Sequence, residues 1–566
     1  MKKPAALVYG VEESPPLAVT FFNGVQHVGL ISINLVYPLL VFRVADTPVQ
    51  AVANLLAIGL LVLGVATFLQ ALRLGPVGSG YMCPATFAAG YFPASLLAAK
   101  LGGLPLVFGM TIFAGVLETA LAPLLNRLRA IFPIEISGLV IFMIGWSAGI
   151  AGLRLLLGAQ AAPVSVAEWS VAGITLAAMV SFNVWGKGLT RMLCALIGLA
   201  AGYVAAGFAG LVDAGQLSAI GAAPWVGVPA LGQVSWSFDV ALALPFAIAC
   251  LAASLKAVGT ITVCQRMNDA DWVRPDMQSA TRGVLADGVS TALAGIAGAV
   301  GTNTSTPSVG LAAATGMASR KVAFAVGTIF LLLGLFPKLA VMLAVVPRPV
   351  VVAALLFAVT FLLINGLQLI TSRLLDARRT LTIGLAIIAG GSIEIFPVIA
   401  ASVPKWASPV VGSSFVFATL IALTLNLLFR IGVKKTVSLK IEAEAIDSQK
   451  IDDFFKSHGA AWGARPDVVN RATFGVIQLV DAARGEFWHG GALEIKASFD
   501  EFSLNVDLAY DGDALEFPAQ RPSNKEIRES ENGVRLMAGF MLRKCADRLR
   551  SQCKDGRATV HLHYDH

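Results

Sequence analysis

Apolar runs separated by short polar connections fill most of the first 435 residues, and many are long enough to cross a bilayer's roughly 30 Å hydrocarbon layer as helices. They place spans at about 17–42, 50–72, 104–125, 134–153, 165–185, 190–212, 238–263, 281–300, 322–337, 339–371, 380–402 and 409–432. Two short segments, about 84–99 and 307–319, complete a set of fourteen. The second short segment follows a polar passage, Gly301-Thr-Asn-Thr-Ser-Thr-Pro-Ser-Val-Gly310. Proline suits a helix's first turn and a preceding threonine can accept from free N–H groups, so Thr306-Pro307 reads as a helix start. Too few residues follow before Ser319-Arg320-Lys321 to span the membrane, so this helix is expected to begin near mid-depth. Polar, non-helical backbone there is tolerated only where protein buries it or it lines a cavity, which points to a binding site.

The pattern also repeats. Seven elements counted from residue 17 and seven from residue 238 put the two short ones third in each half, with Cys83-Pro84 in the place of Thr306-Pro307. An odd number of spans per repeat inverts one half relative to the other. The repeats are expected at about 17–212 and 238–433, with two half-helices entering from opposite faces. Helix N-termini meeting near the midplane would suit an acceptor-rich or anionic ligand.

Composition agrees with this reading: 56% of residues are hydrophobic, 14% are charged and the mean hydropathy is +0.74, values that describe a polytopic membrane protein. With the N-terminus inside, eighteen Lys/Arg fall on that side and six (Arg43, Lys100, Arg154, Lys338, Arg348 and Lys405) on the other. The expectation is an inner-membrane protein with both termini cytoplasmic. The net charge of +7 sits in the membrane part, residues 436–566 being acidic, so nothing suggests a nucleic-acid surface. Six scattered cysteines and the lack of a nucleophile–base pair or ligand cluster argue against a disulfide framework, a metal, a cofactor or an enzyme. Ionisable groups inside spans are the remaining candidates: Lys256, Asp287, His27, and Glu118, Glu135 and Glu394, to which the sequence gives no role.

Pro307-Ser-Val-Gly310 followed by Thr315-Gly316 resembles the signature of the nucleobase–ascorbate (xanthine/uracil) transporters, with Ser308 where the signature has asparagine. Gln26-His27, Thr86-Phe87, Ala257-Val-Gly259 and Leu285-Ala-Asp-Gly288 extend the resemblance over about residues 15–435. It implies a fourteen-segment, two-repeat fold in which a core domain (spans 1–4 and 8–11) moves against a gate domain (5–7 and 12–14), usually in a homodimer. It also implies a planar heterocycle held between the half-helices and the eighth span. Carried over by motif, Phe87 with Thr86 would flank the ring, and Ser305, Thr306, Pro307 and Ser308 would contact it. Asp287, His27, Thr260 and Asn303 would support the site.

Lys256 departs from the resemblance, standing where the family usually has a glutamate that bonds the base and is tied to proton coupling. An ammonium only donates. The pocket is therefore expected to be electropositive and to prefer an anionic, oxidised purine such as urate or xanthine. Other readings stand beside this one: Lys256 snorkelling or paired with Asp287, His27 and Phe87 as packing residues, and the polar run 302–305 satisfying backbone. Gly90, Gly259, Gly288, Gly310 and Gly316 are expected to permit close helix packing. At the level of function, an inorganic-anion carrier or channel, or a purine receptor signalling through the tail, are the alternatives.

After Lys435 the chain becomes an α+β domain: helices at about 449–458, 467–484 and 525–551, and strands at 492–498, 502–509 and 557–563. This order weakly resembles the histidine-kinase type of ATPase domain, but the asparagine that would hold a nucleotide's metal is missing from 472–484. A regulatory or dimerising cytoplasmic domain is expected, with a protein partner or a nucleotide as its candidate ligands.

Overall fold

The computed structural model describes residues 3–5, 7–73, 75–124, 133–157, 164–230, 232, 234–272, 275–371, 375, 377–396, 398–404, 407–429, 435–442, 447–462, 464, 466–486, 488–500, 503–523, 533–554 and 556–565. Of the basic residues counted for orientation, Lys2, Arg127, Arg129, Arg274, Arg373, Lys405, Arg430 and Lys434 lie outside the described residues. Two compact units divide the chain, Met1–Asn426 and Leu427–His566.

The fourteen expected segments can be followed through the first unit, which is a helical membrane domain. Span 1 is α1 (Leu17–Ser32) and α2 (Val36–Val44), joined by one 3-10 turn. Span 2 is α3 (Val49–Ala71). The third segment is strand β1 (Ala85–Phe87) and the first part of α4 (Phe92–Leu121), which breaks at Gly102-Gly103, where Gly103 has φ +67 and Pro105 follows. The remainder of α4 is span 4. Spans 5 to 7 are α5 (Ile134–Leu157), α6 (Val166–Val184) and α7 (Cys194–Phe208). The second repeat runs through α8 (Ala243–Asn268), α9 (Met277–Ala297), strand β2 (Thr302–Thr304) with α10 (Thr306–Thr315), and α11 (Arg320–Gly334). It ends with α13 (Arg348–Ile370), α14 (Ala377–Ile395) and α15 (Ser414–Phe429). Between α11 and α13 lies α12 (Pro337–Ala344), bent by 80° from α11. Expected spans at 322–337 and 339–371 are thus corrected: proline at residue 337 starts a separate short helix, and the twelfth span begins only at Arg348-Pro349.

Packing sorts the spans into two sets. α3 packs on α11, α4 on α8 and α9, and α1 on α11; in the other set α5 packs on α13 and α14, and α6 on α7 and α13. Each set is closed by a glycine pair. A Cβ on Gly115 would lie 2.2 Å from the Ala292 nitrogen and 2.6 Å from the Gly288 carbonyl oxygen, and Gly288 meets Thr119 and Gly115 in return. Gly138 and Gly366 face each other in the same way, each Cβ 2.8 Å from the other's carbonyl oxygen. Without a solvent-driven hydrophobic force, such close backbone approach supplies helix association in a bilayer.

The second unit is a five-stranded antiparallel sheet with helices. In chain order it comprises β3 (Lys435–Glu442), α16 (Ser448–Trp462), α17 (Pro466–Glu486), β4 (Ala492–Phe499), β5 (Ser503–Asp511), α18 (Gly533–Cys545), β6 (Arg548–Lys554) and β7 (Arg557–Asp565). The strand order is β3-β4-β5-β7-β6. The tight connection of β4 to β5 is held by Asp500, whose carboxylate accepts from the Ser503 N–H at 2.8 Å. Two strands were not legible. β3 is a polar-alternating edge, and the single helix expected over 525–551 ends at Cys545, with 524–532 outside the described residues. Residues 548–554 alternate between a half-buried and an exposed face, which a helical reading of their charges conceals.

Candidate functional site

The two repeats meet in a small antiparallel ladder. Ala85 pairs with Thr304, Thr86 with Asn303 and Phe87 with Thr302, and the ladder is extended by the Ser305 N–H on the Pro84 carbonyl (2.8 Å) and the Ala88 N–H on the Gly301 carbonyl (2.9 Å). Every residue of both strands is buried, so each outward N–H needs a partner, and the second helix of each repeat provides one. On α3, the Thr67 hydroxyl oxygen accepts from the Ala85 N–H at 3.1 Å; on α9, an Asp287 oxygen accepts from the Thr304 N–H at 3.2 Å. The first span of each repeat is tied in as well: the Asn34 amide donates to the Thr86 hydroxyl (2.7 Å), and the Asn303 amide to the Ala253 carbonyl of α8 (2.9 Å). These contacts are the inverted repeat written in hydrogen bonds.

The helix starts differ from expectation. Cys83-Pro84 does not begin a helix; it leads into β1, and Pro93 in the first turn of α4 is the counterpart of Pro307. At the second break the N-cap is Ser305 rather than Thr306: the Ser305 hydroxyl lies 2.9 Å from that of Ser308 and accepts from the Ser308 N–H. Val309 donates to the Ser305 carbonyl and Pro307 has no N–H, which leaves the N–H of Thr306 as the donor of the first turn with no partner among the described residues. Ser308 is therefore a buried cap, whereas Thr306 and Pro307 are exposed.

α8 lies beside this start. The Thr260 hydroxyl donates to the Lys256 carbonyl (2.9 Å), so the Thr306 hydroxyl, 2.8 Å away, is the donor to Thr260. Among the described residues the Lys256 ammonium makes no hydrogen bond and no ion pair within 4 Å, so the alternative of a close Lys256–Asp287 pair does not form. Asp287 is taken up instead by the Thr304 N–H and by the Gln70 amide at 3.1 Å. Gly259 and Gly310, one turn beyond Lys256 and Thr306, have no atom within 4 Å of a built Cβ, and Gly90 has none nearer than 3.9 Å. These three do not serve close packing, while Gly288 does and Gly316 is the left-handed cap of α10. An open face thus carries Lys256, Gly259, Thr306, Pro307 and Gly310.

Phe87 is not just inside a helix, as expected, but at the end of β1, 1% exposed, with its ring tip against Gly59 of α3. His27 is wholly buried in α1, and neither ring nitrogen has a hydrogen-bond partner among the described residues. Among the described residues neither side chain joins the hydrogen-bond network around the ladder, although the Phe87 backbone is part of it. Asn34, Thr67, Gln70 and Thr291, which donates to the Thr302 carbonyl at 2.9 Å, were missed by sequence reasoning. Residue offsets were the available signal: Thr67 and Asp287 are separated by nearly the same interval as Ala85 and Thr304.

A helical membrane domain of two inverted repeats, each interrupted at its third segment, defines a transport protein. Residues 18–399 match the family model Xan_ur_permease, described as "Permease family", and the chain belongs to that family. It is similar to xanthine permease XanP of Escherichia coli (strain K12), 27% identical over 442 residues that cover 75% of this chain and 94% of the relative. It is also similar to uric acid permease PucJ of Bacillus subtilis (strain 168), 28% identical over 435 residues, covering 74% and 94%. The transmembrane domain of a cyanobacterial bicarbonate transporter, BicA, aligns with a TM-score of 0.46 and 14% identity, over 74% of this chain and 99% of that one. The tail lies beyond the family match.

Proposed function

We propose that this protein is a secondary carrier for an oxidised purine of the urate or xanthine type, taken up as an anion. The observation that carries the reading is the Lys256 ammonium: among the described residues it makes no hydrogen bond and no ion pair within 4 Å, and its residue lies one helical turn from Gly259 on the face that also presents Thr306, Pro307 and Gly310. An intramembrane cation without a partner is costly, and an anionic ligand relieves that cost when it binds. Relatives named for xanthine and for uric acid support the substrate class. Transport proceeds by alternating access of the α3/α4/α8/α9/α11 set against the α5/α6/α7/α13/α14 set, and the packing division supports that motion. The carrier works as a homodimer in the inner membrane with both termini cytoplasmic, and the tail is regulatory.

Phe87 gives a second reading its support. With that ring packed against Gly59, the site as it stands lacks an aromatic slot from this residue, and a small inorganic anion would need only Lys256 and the Thr306 N–H. Uptake by the purified full chain in liposomes, with labelled urate, xanthine, uracil, bicarbonate and sulfate, separates the two. Urate or xanthine transport inhibited by the other purine supports the first. Bicarbonate or sulfate transport insensitive to purines supports the second, and uptake of neutral uracil alone overturns both.

A further inference from the structure

Among the described residues four glutamates lie within or at spans, and the structure treats one of them differently; Glu168 of α6 pairs with Arg348 of α13 (2.7 Å). Glu135 of α5 pairs with Arg379 of α14 (3.5 Å), and Glu394 of α14 with Arg154 of α5 (3.3 Å). Glu118 of α4 is wholly buried and has no basic partner within 4 Å among the described residues. Its two oxygens meet two hydroxyls instead, Tyr91 at 3.0 Å and Ser254 of α8 at 3.1 Å. Ser254 is two residues from Lys256, so Glu118 lies behind the face that presents the ammonium.

Partner chemistry separates this carboxyl from Asp287. An amide N–H only donates, so the Gln70 amide and the Thr304 backbone N–H favour the carboxylate form of Asp287. A hydroxyl donates to a carboxylate or accepts from a carboxylic acid by turning its hydrogen. The Glu118 site therefore accommodates a proton or its absence with no heavy atom moved. We infer that Glu118 is the proton-carrying group of this transporter, taking the place of the carboxylate that is absent at Lys256.

Charge gives the direction of coupling. Lys256 and Asp287 carry opposite charges without touching, so together they leave the core neutral, and an anionic ligand on Lys256 adds one negative charge to it. Protonation of Glu118 offsets that charge, so anion and proton bind together and cross together. The step is a proton transfer alone: the carboxylate takes a proton on the side where the ligand enters and gives it up on the other side. The titratable groups facing Glu118 are Tyr91, Cys250 of α8 and Asp287 of α9. Lys256 of α8, Arg282 of α9, Tyr37 of α2 and Glu135 of α5 share the elements packed on α4 without a hydrogen bond or ion pair to it.

This inference rests on the carrier reading above, and its test has one arm that does not. In liposomes holding the full chain, an inward pH gradient should drive accumulation of labelled urate or xanthine toward about tenfold per pH unit, the limit for one proton per anion. Glu118→Gln should lose accumulation while still exchanging label across the membrane. A variant that still responds to the gradient, or a wild type that exchanges label but ignores the gradient, overturns the proposal. In the second arm, infrared spectra of the purified protein without ligand should show a buried carboxylic-acid band that fades as pH rises and is missing from Glu118→Gln. Ser254→Ala, which removes one donor to the carboxylate, should move that fading to higher pH and serves if the glutamine variant does not fold. A titrating band with no purine transport would sink the substrate reading and keep the proton site. Purine transport with no titrating Glu118 band would sink the proton site and keep the substrate reading.

Discussion

Replacing Lys256 with glutamine removes one positive charge and disturbs no internal hydrogen bond, because the ammonium has none among the described residues. The Thr260 hydroxyl donates to the Lys256 main-chain carbonyl and the Thr306 hydroxyl to that of Thr260, so neither contact is touched by the change. Folded stability should therefore hold or rise slightly, since an intramembrane charge without a close partner is a liability. Ligand binding should fall. An ammonium hydrogen-bonded to an anion contributes about 1.5–3 kcal/mol, and two unit charges 4 Å apart at an effective dielectric of 20 give an upper limit of about 4 kcal/mol. A loss of about 2–3 kcal/mol corresponds to a roughly 30- to 150-fold rise in Kd. Calorimetric titration of the purified full chain with urate measures it, with uracil as the neutral comparison and the melting temperature as the check on folding. A urate Kd within about twofold of wild type in a normally melting variant refutes the argument that Lys256 recognises the anion.

Four further outcomes follow from named contacts. Thr67→Val strands the buried Ala85 N–H and should lower stability by about 1–3 kcal/mol in a chemical-denaturation series, with Asp287→Asn costing as much, because its amide cannot accept from both Gln70 and Thr304. Gly115→Ala and Gly138→Ala force backbones apart at contacts of 2.2 and 2.8 Å and should each lower the melting temperature, at about 1–3 kcal/mol, whereas Gly259→Ala, facing open space, should not. Mg-ATP should leave the melting of the intact protein unchanged, since the tail lacks the metal-holding asparagine in 472–484; a clear upward shift would restore a nucleotide site there. In that tail, burial pushes the Tyr564 and Tyr510 phenols above their ordinary range. Their neutral forms are favoured by folding, so this contribution is full below about pH 10 and should decline as pH rises past it, visible as earlier unfolding of the tail by circular dichroism.

Sequence alone carried the membrane fold far because its signals are long-range and additive: apolar length, loop charge and a repeat of seven segments survive errors of several residues in each boundary. The third segment was harder. Pro84 and Pro307 look equivalent in sequence, yet strand pairing across the repeats makes 85–87 extended and moves the helix start to Phe92-Pro93, a tertiary effect that local propensity does not contain. Candidate residues split along the same line. Lys256, Asp287 and Glu118 stood out because charge inside a span is rare, but their partners depend on which helices meet. Asn34, Thr67 and Gln70 are ordinary polar residues in apolar helices and become readable only once the ladder shows which N–H groups they serve. For Phe87 the sequence left packing and ligand contact both open, because an aromatic beside a break looks the same in sequence whether it faces a ligand or, as here, packs on Gly59.

The most direct test of the central claim is a structure of the full chain with urate bound. The account predicts planar density on the open face of α8 and α10, with an acceptor within about 3.2 Å of the Lys256 ammonium and another near the Thr306 N–H. Density held elsewhere, or held there with the ammonium turned away from it, would contradict the account.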